Sequence, residues 1–135
     1  YDYVMILQPT SPLRTSVDID KSIEKAMNTN ADSVMSMVKL VDMSIPKLKK
    51  IYNDQIVDFI EDEGKIPLDR NQKEPLYKRN TAIYLTKTSF VLEGDLFGKI
   101  SRPYIMPMER SIDINEKVDL DFARFFLNLE KNGNY

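Results

Sequence analysis

The chain opens with a short apolar block that gives way abruptly to polar residues. Residues 3–7 are almost continuously apolar, which is typical of a strand buried on both faces of a parallel sheet. Pro9 has no N–H to donate to a neighbouring strand and ends this strand at Gln8. Ligands of open parallel sheets bind outside the carboxyl ends of the strands. We therefore expect a polar ligand beside the side chains of Gln8, Thr10, Ser11 and Arg14.

A helical pattern comes next and leads to a second apolar block. Thr15 and Asp18 have the spacing of a capping box at a helix start. Residues 33–40 are predicted to be a second buried strand. A strand, a helix and a strand within about forty residues form a βαβ unit, which predicts parallel strands and a right-handed crossover. The helix ends near residues 28–30, and its apolar face is formed by Ile19, Ile23, Ala26 and Met27.

Residues 43–80 have a different character from the rest of the chain. Apolar pairs at 51–52 and 56–57 flank a polar turn at 53–55 and predict a short hairpin. Residues 64–80 combine a glycine, two prolines and many charges with little periodicity. We interpret 43–80 as an excursion from the sheet, part hairpin and part loop, for which a solvated surface arm is the simplest account.

The sheet pattern resumes after this excursion. Residues 81–87 and 102–108 are predicted strands, with a short helix near 88–93 between them. An amphipathic helix follows, and the Asn132-Gly133 pair ends it. We assign its phenylalanines to core packing and give them no chemical role. Its apolar residues are Val118, Phe122, Phe125, Phe126 and Leu129.

Composition narrows the possible functions. With 135 residues and 42% hydrophobic content, the chain is long enough for one domain with a real core. A net charge of −2 gives no electrostatic reason to expect nucleic acid binding, and without a long apolar span or signal peptide we expect no membrane partner and a cytoplasmic chain. The absence of cysteine and histidine leaves a hard ion such as magnesium as the expected metal. Because Tyr1 lies two residues before a core strand, we expect a piece of something longer.

Three motifs give the chain a resemblance to a known family. Residues 6–14, Ile-Leu-Gln-Pro-Thr-Ser-Pro-Leu-Arg, resemble the signature of the acylneuraminate cytidylyltransferases, also called CMP-sialic acid synthetases. Tyr-Lys-Arg-Asn-Thr-Ala-Ile-Tyr at 77–84 and Glu-Arg-Ser-Ile-Asp-Ile at 109–114 follow in the family's order. The resemblance implies a Rossmann-like, three-layer α/β nucleotidyltransferase fold with a mainly parallel sheet. Residues 1–135 would be the C-terminal portion of that domain, truncated at the N-terminus, and 43–80 would be a protruding arm that forms a homodimer.

The resemblance also implies a reaction and its ligands. CTP and a sialic-acid-like 2-keto sugar acid would give CMP-sugar and pyrophosphate, with Mg²⁺ as the cofactor. Sialic, legionaminic and pseudaminic acids all stay open as the sugar. Phe97 would pack on the sugar's N-acyl group, and Lys47 would reach the site across the dimer. The full set of substrate contacts implied by the resemblance is Gln8, Asn80, Tyr84, Phe97, Arg70 and Lys47.

Most of these residues also have a simpler interpretation. Gln8 suits the cap of a strand end, and Tyr84 suits the core. Lys47 and Arg70 suit a solvated surface. Asn80 and Tyr84 are four residues apart, which predicts that both lie on the same side of an extended segment.

Residues 111–115 carry the candidate metal ligand and general base. The family has Ser-Ile-Asp-Ile-Asp here, whose two aspartates point to one face and share a cation. This chain keeps Asp113 as the catalytic and metal-binding candidate but has Asn115 in place of the second aspartate. Asn115 is either a weaker metal ligand or the N-cap of the following helix, and we favour the cap. Thr81 stands where the family usually has glycine, and its methyl group is expected to reshape the sugar site.

One feature of the family is missing from the sequence. The family begins with a glycine-rich loop around the CTP phosphates, and the 4 glycines of this chain form no such run. We therefore expect the chain to be inactive by itself. The rival interpretation is a non-catalytic sugar-nucleotide-binding or dimerisation module, which the missing loop and Asn115 both favour.

Overall fold

The computed structural model describes residues 1–41, 43–61 and 75–133. Contacts divide the chain into two units, Tyr1–Lys39 with Lys78–Tyr135 and Leu40–Tyr77. Arg70 and most of the loop predicted over 64–80 lie outside the described residues. Within the described ranges, no α-helix is long and apolar enough to cross a membrane.

The secondary structure follows the hydrophobic pattern closely. The predicted strands and helices are confirmed to within a few residues at their ends, and the strand predicted from residue 81 begins earlier. The strands are β1 (Tyr3–Ile6), β2 (Ser33–Lys39), β3 (Lys49–Tyr52), β4 (Gln55–Asp58), β5 (Tyr77–Lys87) and β6 (Ser101–Met106), and the helices are α1 (Ser16–Thr29), α2 (Thr88–Leu92) and α3 (Lys117–Lys131).

A mixed sheet organises the first unit. Its strand order is β1-β5-β2-β6, with β1 antiparallel to β5 and β2 parallel to β6. Lys87 N–H donates to the Asp32 carbonyl, and further along Ser36 Oγ bonds both backbone groups of Ile83. Because residue numbers fall along β5 as they rise along β2, these two strands are antiparallel. Three strands therefore share one direction, and β5 runs against them.

The predicted βαβ unit is confirmed in strand direction, but its two strands are not neighbours. β1 and β2 point the same way, and β5 lies between them. The sheet is consequently mixed where a mainly parallel sheet was expected. Local pattern cannot foresee this insertion, because the strand that pairs with β1 comes from the second half of the chain.

Helix α1 begins with the predicted capping box and turns a partly polar face inward. Thr15 Oγ1 accepts from the N–H of Asp18, and Asp18 Oδ2 accepts from the N–H of Thr15 over 2.9 Å. Ile23 and Met27 remain exposed by 42% and 65%, so the apolar face read from spacing is only partly the packed face. The buried residues of α1 are Asp18, Ser22 and Ala26.

The two faces of the sheet have different surroundings. Met5 and Leu85, which pair across β1 and β5, line a cavity together with Ala26 of α1, so they face that helix. Ile6 and Tyr84 form the adjacent pair and therefore face the opposite way. The buried apolar core consists of Ala26, Ala31, Val34, Ala82, Ile83, Leu85 and Met106.

Helix α3 packs only part of the apolar stripe assigned to it. Phe122 and Phe125 are exposed by 52% and 56%, so their assignment to the core is wrong. Ala123 is buried, and Phe126 and Leu129 are half-buried. The helix carries apolar residues on two adjacent stripes, and periodicity alone does not say which of them meets the protein.

The second unit contains the predicted hairpin. β3 and β4 pair antiparallel, with Tyr52 opposite Gln55. Asn53 and Asp54 form the turn with φ of 49° and 61°, the left-handed conformation that two-residue hairpin loops favour. The role of this arm in dimerisation stays a prediction.

Candidate functional site

Three segments of the first unit meet where β1, β2 and β6 end. They are residues 7–14, 80–82 and 111–115, and together we call them the carboxyl edge. Each contains part of one of the three sequence motifs. The edge that was predicted to face a polar ligand is therefore also the place where the motifs come together.

Hydrogen bonds to backbone oxygens hold these segments in place. Arg14 Nη1 donates to the carbonyl oxygens of Ala82 (2.7 Å) and Gln8 (3.2 Å). Ile114 N–H donates to the carbonyl oxygen of Thr10 over 2.8 Å. Arg14, expected beside a ligand, thus joins the loop after β1 to β5 through its Nη1 group.

Gln8 presents a half-buried amide within the loop after β1. Thr10 Oγ1 donates to Gln8 Oε1 over 3.4 Å, and the Ser11 N–H closes the loop on the Gln8 carbonyl over 3.2 Å. An amide held in this way can both donate to and accept from a polyhydroxylated ligand. Its contact with a sugar stays a prediction.

Asn80 is buried and bonded inside the protein. Its side chain is 1% exposed. Nδ2 donates to Ser111 Oγ over 2.9 Å and to Met106 Sδ over 3.3 Å, and Oδ1 accepts from the Ala82 N–H over 3.4 Å. The amide therefore links β5 to β6 and to the segment that follows β6.

Thr81 has a backbone conformation that suits glycine. Its φ is 63°, in the left-handed region that β-branched residues rarely occupy. Thr81 Oγ1 donates to the Asn80 carbonyl over 2.7 Å and lies 3.4 Å from Ser11 Oγ. The residue type that the family usually has at this position is the one this conformation favours.

The left-handed residue also overturns the expectation that Asn80 and Tyr84 share one side. Tyr104 of β6 bonds Asp18 of α1, so Met106, two residues later, also faces α1. Asn80 contacts Met106 and is therefore on the α1 face, whereas Tyr84 is on the opposite face. Regular alternation would have put both on one side, and Thr81 interrupts it between them.

Phe97 belongs to the face of the sheet opposite α1. The Arg79 guanidinium lies over its ring, with Cζ 5.2 Å from the ring centroid. Both residues line a cavity of about 250 Å³ with Met35, Met37 and Pro103. Tyr84 and Phe97 therefore share a face, and the sugar contacts predicted for them are compatible with each other.

Asp113 has an unsatisfied oxygen. Oδ1 is buried and has no hydrogen-bond partner among the described residues, whereas Oδ2 accepts from Asn115 Nδ2 over 3.2 Å. A buried carboxylate oxygen without a hydrogen-bond donor can serve as a ligand for a cation. The described residues contain no group of three or more acidic side chains that would form a complete metal site.

Asn115 is not the N-cap of the last helix. The cap is Glu116, whose N–H donates to Asp119 Oδ2 over 2.8 Å. The Asn115 N–H donates to the same oxygen over 2.9 Å, and these two backbone bonds lower the pKa of Asp119. Asn115 stands one residue before the cap, which leaves its side chain beside Asp113.

Sequence reasoning missed a buried ion pair behind the site. Arg110 donates hydrogen bonds to both carboxylate oxygens of Asp18, from Nη2 to Oδ1 over 2.8 Å and from Nε to Oδ2 over 3.1 Å. Tyr104 OH donates to Oδ1 over 3.0 Å, and Thr15 Oγ1 donates to Oδ2 over 2.8 Å. Burial raises the pKa of Asp18, but bonds from Arg110, Thr15 and Tyr104 outweigh it and lower the pKa to about 2. A signal was present, because Asp18 and Ser22 lie about two turns and one turn before Ala26 on a buried stripe.

Two of the predicted substrate contacts do not belong to the described part of the first unit. Lys47 is exposed at the end of a short 3-10 helix, Ile45–Lys47, in the second unit. Arg70 is outside the described residues. Their contacts with a substrate stay predictions.

Comparison with known proteins agrees with the motifs. No protein-family model matches the chain. The chain is 26% identical over 133 residues to post-translational flagellin modification protein B of Campylobacter coli, covering 98% of this chain and 55% of that protein. It is 29% identical over 119 residues to the N-acylneuraminate cytidylyltransferase of Streptococcus agalactiae serotype V, covering 85% of this chain and 28% of that protein.

The corresponding enzyme of Escherichia coli gives a similar match. It is 27% identical over 127 residues, covering 91% of this chain and 29% of that protein. The chain therefore spans between about a quarter and about half of the length of these relatives. The match to the Campylobacter coli protein covers nearly the whole chain and so includes all three motifs.

Proposed function

Because these relatives confirm the resemblance to the acylneuraminate cytidylyltransferases, we propose that the chain is part of a cytidylyltransferase that activates a sialic-acid-like 2-keto sugar acid. CTP and the sugar acid give CMP-sugar and pyrophosphate. The observation that carries the proposal is the meeting of the three motif segments at the carboxyl edge, through Arg14 on Ala82 and Ile114 on Thr10.

The reaction is a displacement at phosphorus. The anomeric hydroxyl of the sugar attacks the α-phosphate of CTP, the new O–P bond forms, and the bond to pyrophosphate breaks. The hydroxyl proton needs an acceptor, and the carboxylate of Asp113 is the candidate general base. Most of the acceleration then comes from positioning and from charge compensation.

The sugar contacts divide between the loop after β1 and the face of the sheet opposite α1. The amide of Gln8 suits hydroxyl and carboxylate groups, since it offers a donor and an acceptor. Tyr84 and Phe97 supply a phenol and an aromatic surface on the same face, which suits the N-acyl side of the sugar. We assign Lys47 and Arg70 to the anionic groups of the substrate.

Asp113 and Asn115 are the residues that would hold Mg²⁺. When bound, this ion neutralises the charge that develops on the phosphates. The buried Oδ1 of Asp113, which has no hydrogen-bond partner among the described residues, would supply one hard oxygen ligand, and Asn115 Nδ2 donates to the other oxygen, Oδ2, over 3.2 Å. An amide oxygen attracts the ion less than the second carboxylate of the family would, so metal affinity should be modest.

The hairpin of the second unit suits a subunit interface. Ile51 and Ile56 are opposite each other on β3 and β4 and are exposed by 80% and 76%. An isolated two-stranded hairpin is marginal in water and gains stability when its apolar side is covered. We assign this surface to a homodimer, with a second copy of the chain as the partner.

Activity of this chain alone is not expected. Cradling the CTP phosphates needs closely approaching backbone N–H groups, and the 4 glycines of the chain form no glycine-rich run. The missing loop and Asn115 also favour a second candidate, a non-catalytic sugar-nucleotide-binding or dimerisation module. Magnesium-dependent release of pyrophosphate from CTP and a sialic acid, by a protein that contains this chain, would exclude that candidate.

Calorimetric titration of the chain with CMP-sialic acid and with CTP tests the proposal. We expect CMP-sialic acid to bind and CTP to bind weakly, because only the sugar half of the site is represented. Gln8→Ala should weaken CMP-sialic acid binding about tenfold by removing a hydrogen-bonding amide. Asn128→Ala removes an exposed amide from α3 and is the matched control. A wild-type chain that binds no CMP-sugar, or equal effects of the two variants, would contradict the assignment.

A further inference from the structure

The Asn80 amide is saturated within the protein. Its Nδ2 group has two hydrogens, and Ser111 Oγ (2.9 Å) and Met106 Sδ (3.3 Å) accept them. The side chain is 1% exposed. A sugar could reach this amide only if the existing bonds broke, and breaking them would leave Ser111 and Asn80 unsatisfied in a buried place.

The same bonds lead directly to the candidate catalytic residue. Ser111 Oγ, which receives the Asn80 bond, donates in turn to the Pro107 carbonyl over 2.7 Å. That second bond closes the chain around the 3-10 turn Met108–Arg110. Asp113, whose Oδ1 has no partner among the described residues, lies two residues after Ser111. The amide of Asn80 is therefore bonded to the segment that carries Asp113.

We infer that Asn80 is a positioning residue, which holds residues 111–114 against the loop after β1 by way of Ser111. The inference rests on the proposed function, because it treats Asp113 as the catalytic group, and it replaces the sugar contact that the resemblance implies for Asn80. Thr81 belongs to the same arrangement, since its φ of 63° interrupts the alternation of β5 and turns Asn80 onto the α1 face.

Hydrogen exchange of the Ile114 amide reports the positioning without any ligand. This N–H donates to Thr10 across the contact that Asn80 is inferred to support. Asn80→Ala and Ser111→Ala should each make it exchange about tenfold faster relative to core amides such as Leu85. Ser33→Ala is the matched control, because Ser33 is equally buried and donates to the Phe97 carbonyl at the opposite end of the sheet. It should leave the ratio of Ile114 to Leu85 exchange unchanged.

A ligand measurement separates positioning from sugar contact. Ser111 lies behind Asn80 and is 7% exposed, so a positioning role predicts that Ser111→Ala reproduces Asn80→Ala. Mn²⁺ bound at Asp113 should broaden the NMR signal of the nearby Ile114 amide. We expect both variants to need about tenfold more Mn²⁺ for this broadening, whereas their affinity for CMP-sialic acid should change by less than about twofold. Fold is checked by the chemical shifts of the core amides in each variant.

The outcomes that would overturn the inference are distinct from failure of the proposed function. If Asn80→Ala alone loses about tenfold in CMP-sialic acid affinity and Ser111→Ala behaves as Ser33→Ala, Asn80 is a sugar ligand. If neither variant accelerates Ile114 exchange beyond the control, the link has no positioning effect. If the wild-type chain binds neither CMP-sialic acid nor Mn²⁺, the proposed function fails, and the exchange measurement still decides whether Asn80 holds this segment.

Discussion

The two ends of the sheet in the first unit differ in how well their polar groups are satisfied. At the end where β2 and β6 begin, which we call the amino edge (residues 31–33, 87 and 97–101), the polar groups are satisfied. Asp32 Oδ2 accepts from the N–H groups of Lys99 (3.1 Å) and Ile100 (2.9 Å), and Oδ1 pairs with Lys87 Nζ (3.1 Å). These bonds, with the Ile100 N–H first and Lys87 next, lower the pKa of Asp32.

The carboxyl edge keeps groups that are strained or unsatisfied. Thr81 holds a left-handed φ of 63° although it is β-branched, and the buried Oδ1 of Asp113 has no partner in the described part of the chain. At the amino edge, by contrast, the left-handed position is filled by glycine, with φ of 64° at Gly98. Strain and unpaired polar groups persist in native proteins mainly where function needs them, which favours the carboxyl edge as the site.

The largest expected effect tests the ion pair between Arg110 and Asp18, which we call the anchor. Arg110→Met leaves the fully buried Asp18 carboxylate without its bidentate partner, which should lower the free energy of unfolding by about 3 to 4 kcal/mol. Arg102→Met, at an exposed position of β6, is the matched control and should cost less than about 0.5 kcal/mol. Urea unfolding of both variants measures the difference, and similar losses would mean that the anchor contributes little.

Gly98→Ala probes the close packing of the amino edge. A Cβ at Gly98 would lie 2.4 Å from the Asp32 Cβ, in addition to the cost of a left-handed φ. We expect a loss of about 3 kcal/mol in the free energy of unfolding. Gly94→Ala has the same conformational cost at φ +79° with nothing within 4 Å, so it should lose only about 1 kcal/mol. Equal losses would show that the contact with Asp32 relaxes freely.

The ion pair of Asp18 also makes a prediction about pH. Its pKa falls from 3.8 to about 2 on folding, so its stabilisation is complete above the unfolded value and is lost as pH falls through 3.8 towards 2. The amount is roughly 2 kcal/mol, at 1.36 kcal/mol per pKa unit. Urea unfolding between those pH values should show this loss in the wild type but not in Asp18→Asn. A parallel decline of both proteins would assign the acid sensitivity to other groups.

The smallest expected effect tests for strain at the carboxyl edge, because strain at Thr81 predicts that its replacement raises the free energy of unfolding. Thr81→Gly removes a left-handed β-branched residue, and we expect the free energy of unfolding to rise by about 0.5 kcal/mol after allowing for the flexibility of glycine. Thr86→Gly is the matched control in the same strand, where Thr86 Oγ1 likewise donates to a carbonyl, that of Leu96. It should be destabilising by about 2 kcal/mol. Thermal unfolding distinguishes the two, and a destabilised Thr81→Gly would contradict the presence of strain.

Local structure was largely readable from the residues, because its causes are local. The capping box needs only Thr15 and Asp18 three positions apart, and the hairpin turn needs only Asn53 and Asp54 between apolar pairs. The loop after β1 was likewise predictable, since Pro9 stops a strand wherever it occurs. Where two local solutions competed, as at Asn115 and Glu116 before α3, the prediction chose the wrong neighbour.

Features that depend on contacts between residues far apart in the sequence were decided only by the tertiary structure. Asp18 and Arg110 are 92 positions apart, and nothing in the periodicity of α1 says that its buried carboxylate will find that guanidinium. The packed stripe of α3 is a similar case, because helix periodicity identifies apolar stripes and not their partners.

The sequence by itself determined the strands, the helices, the loop of Gln8 to Arg14 and the presence of the three motifs. The tertiary structure decided that β5 lies between β1 and β2, and that Asn80 and Tyr84 face opposite ways. The physical reason is that successive side chains along a strand alternate between the two faces of the sheet, so one irregular backbone angle changes the face on which the residues beyond it lie. One left-handed residue, Thr81, was enough to turn Asn80 from the expected ligand face to the α1 face.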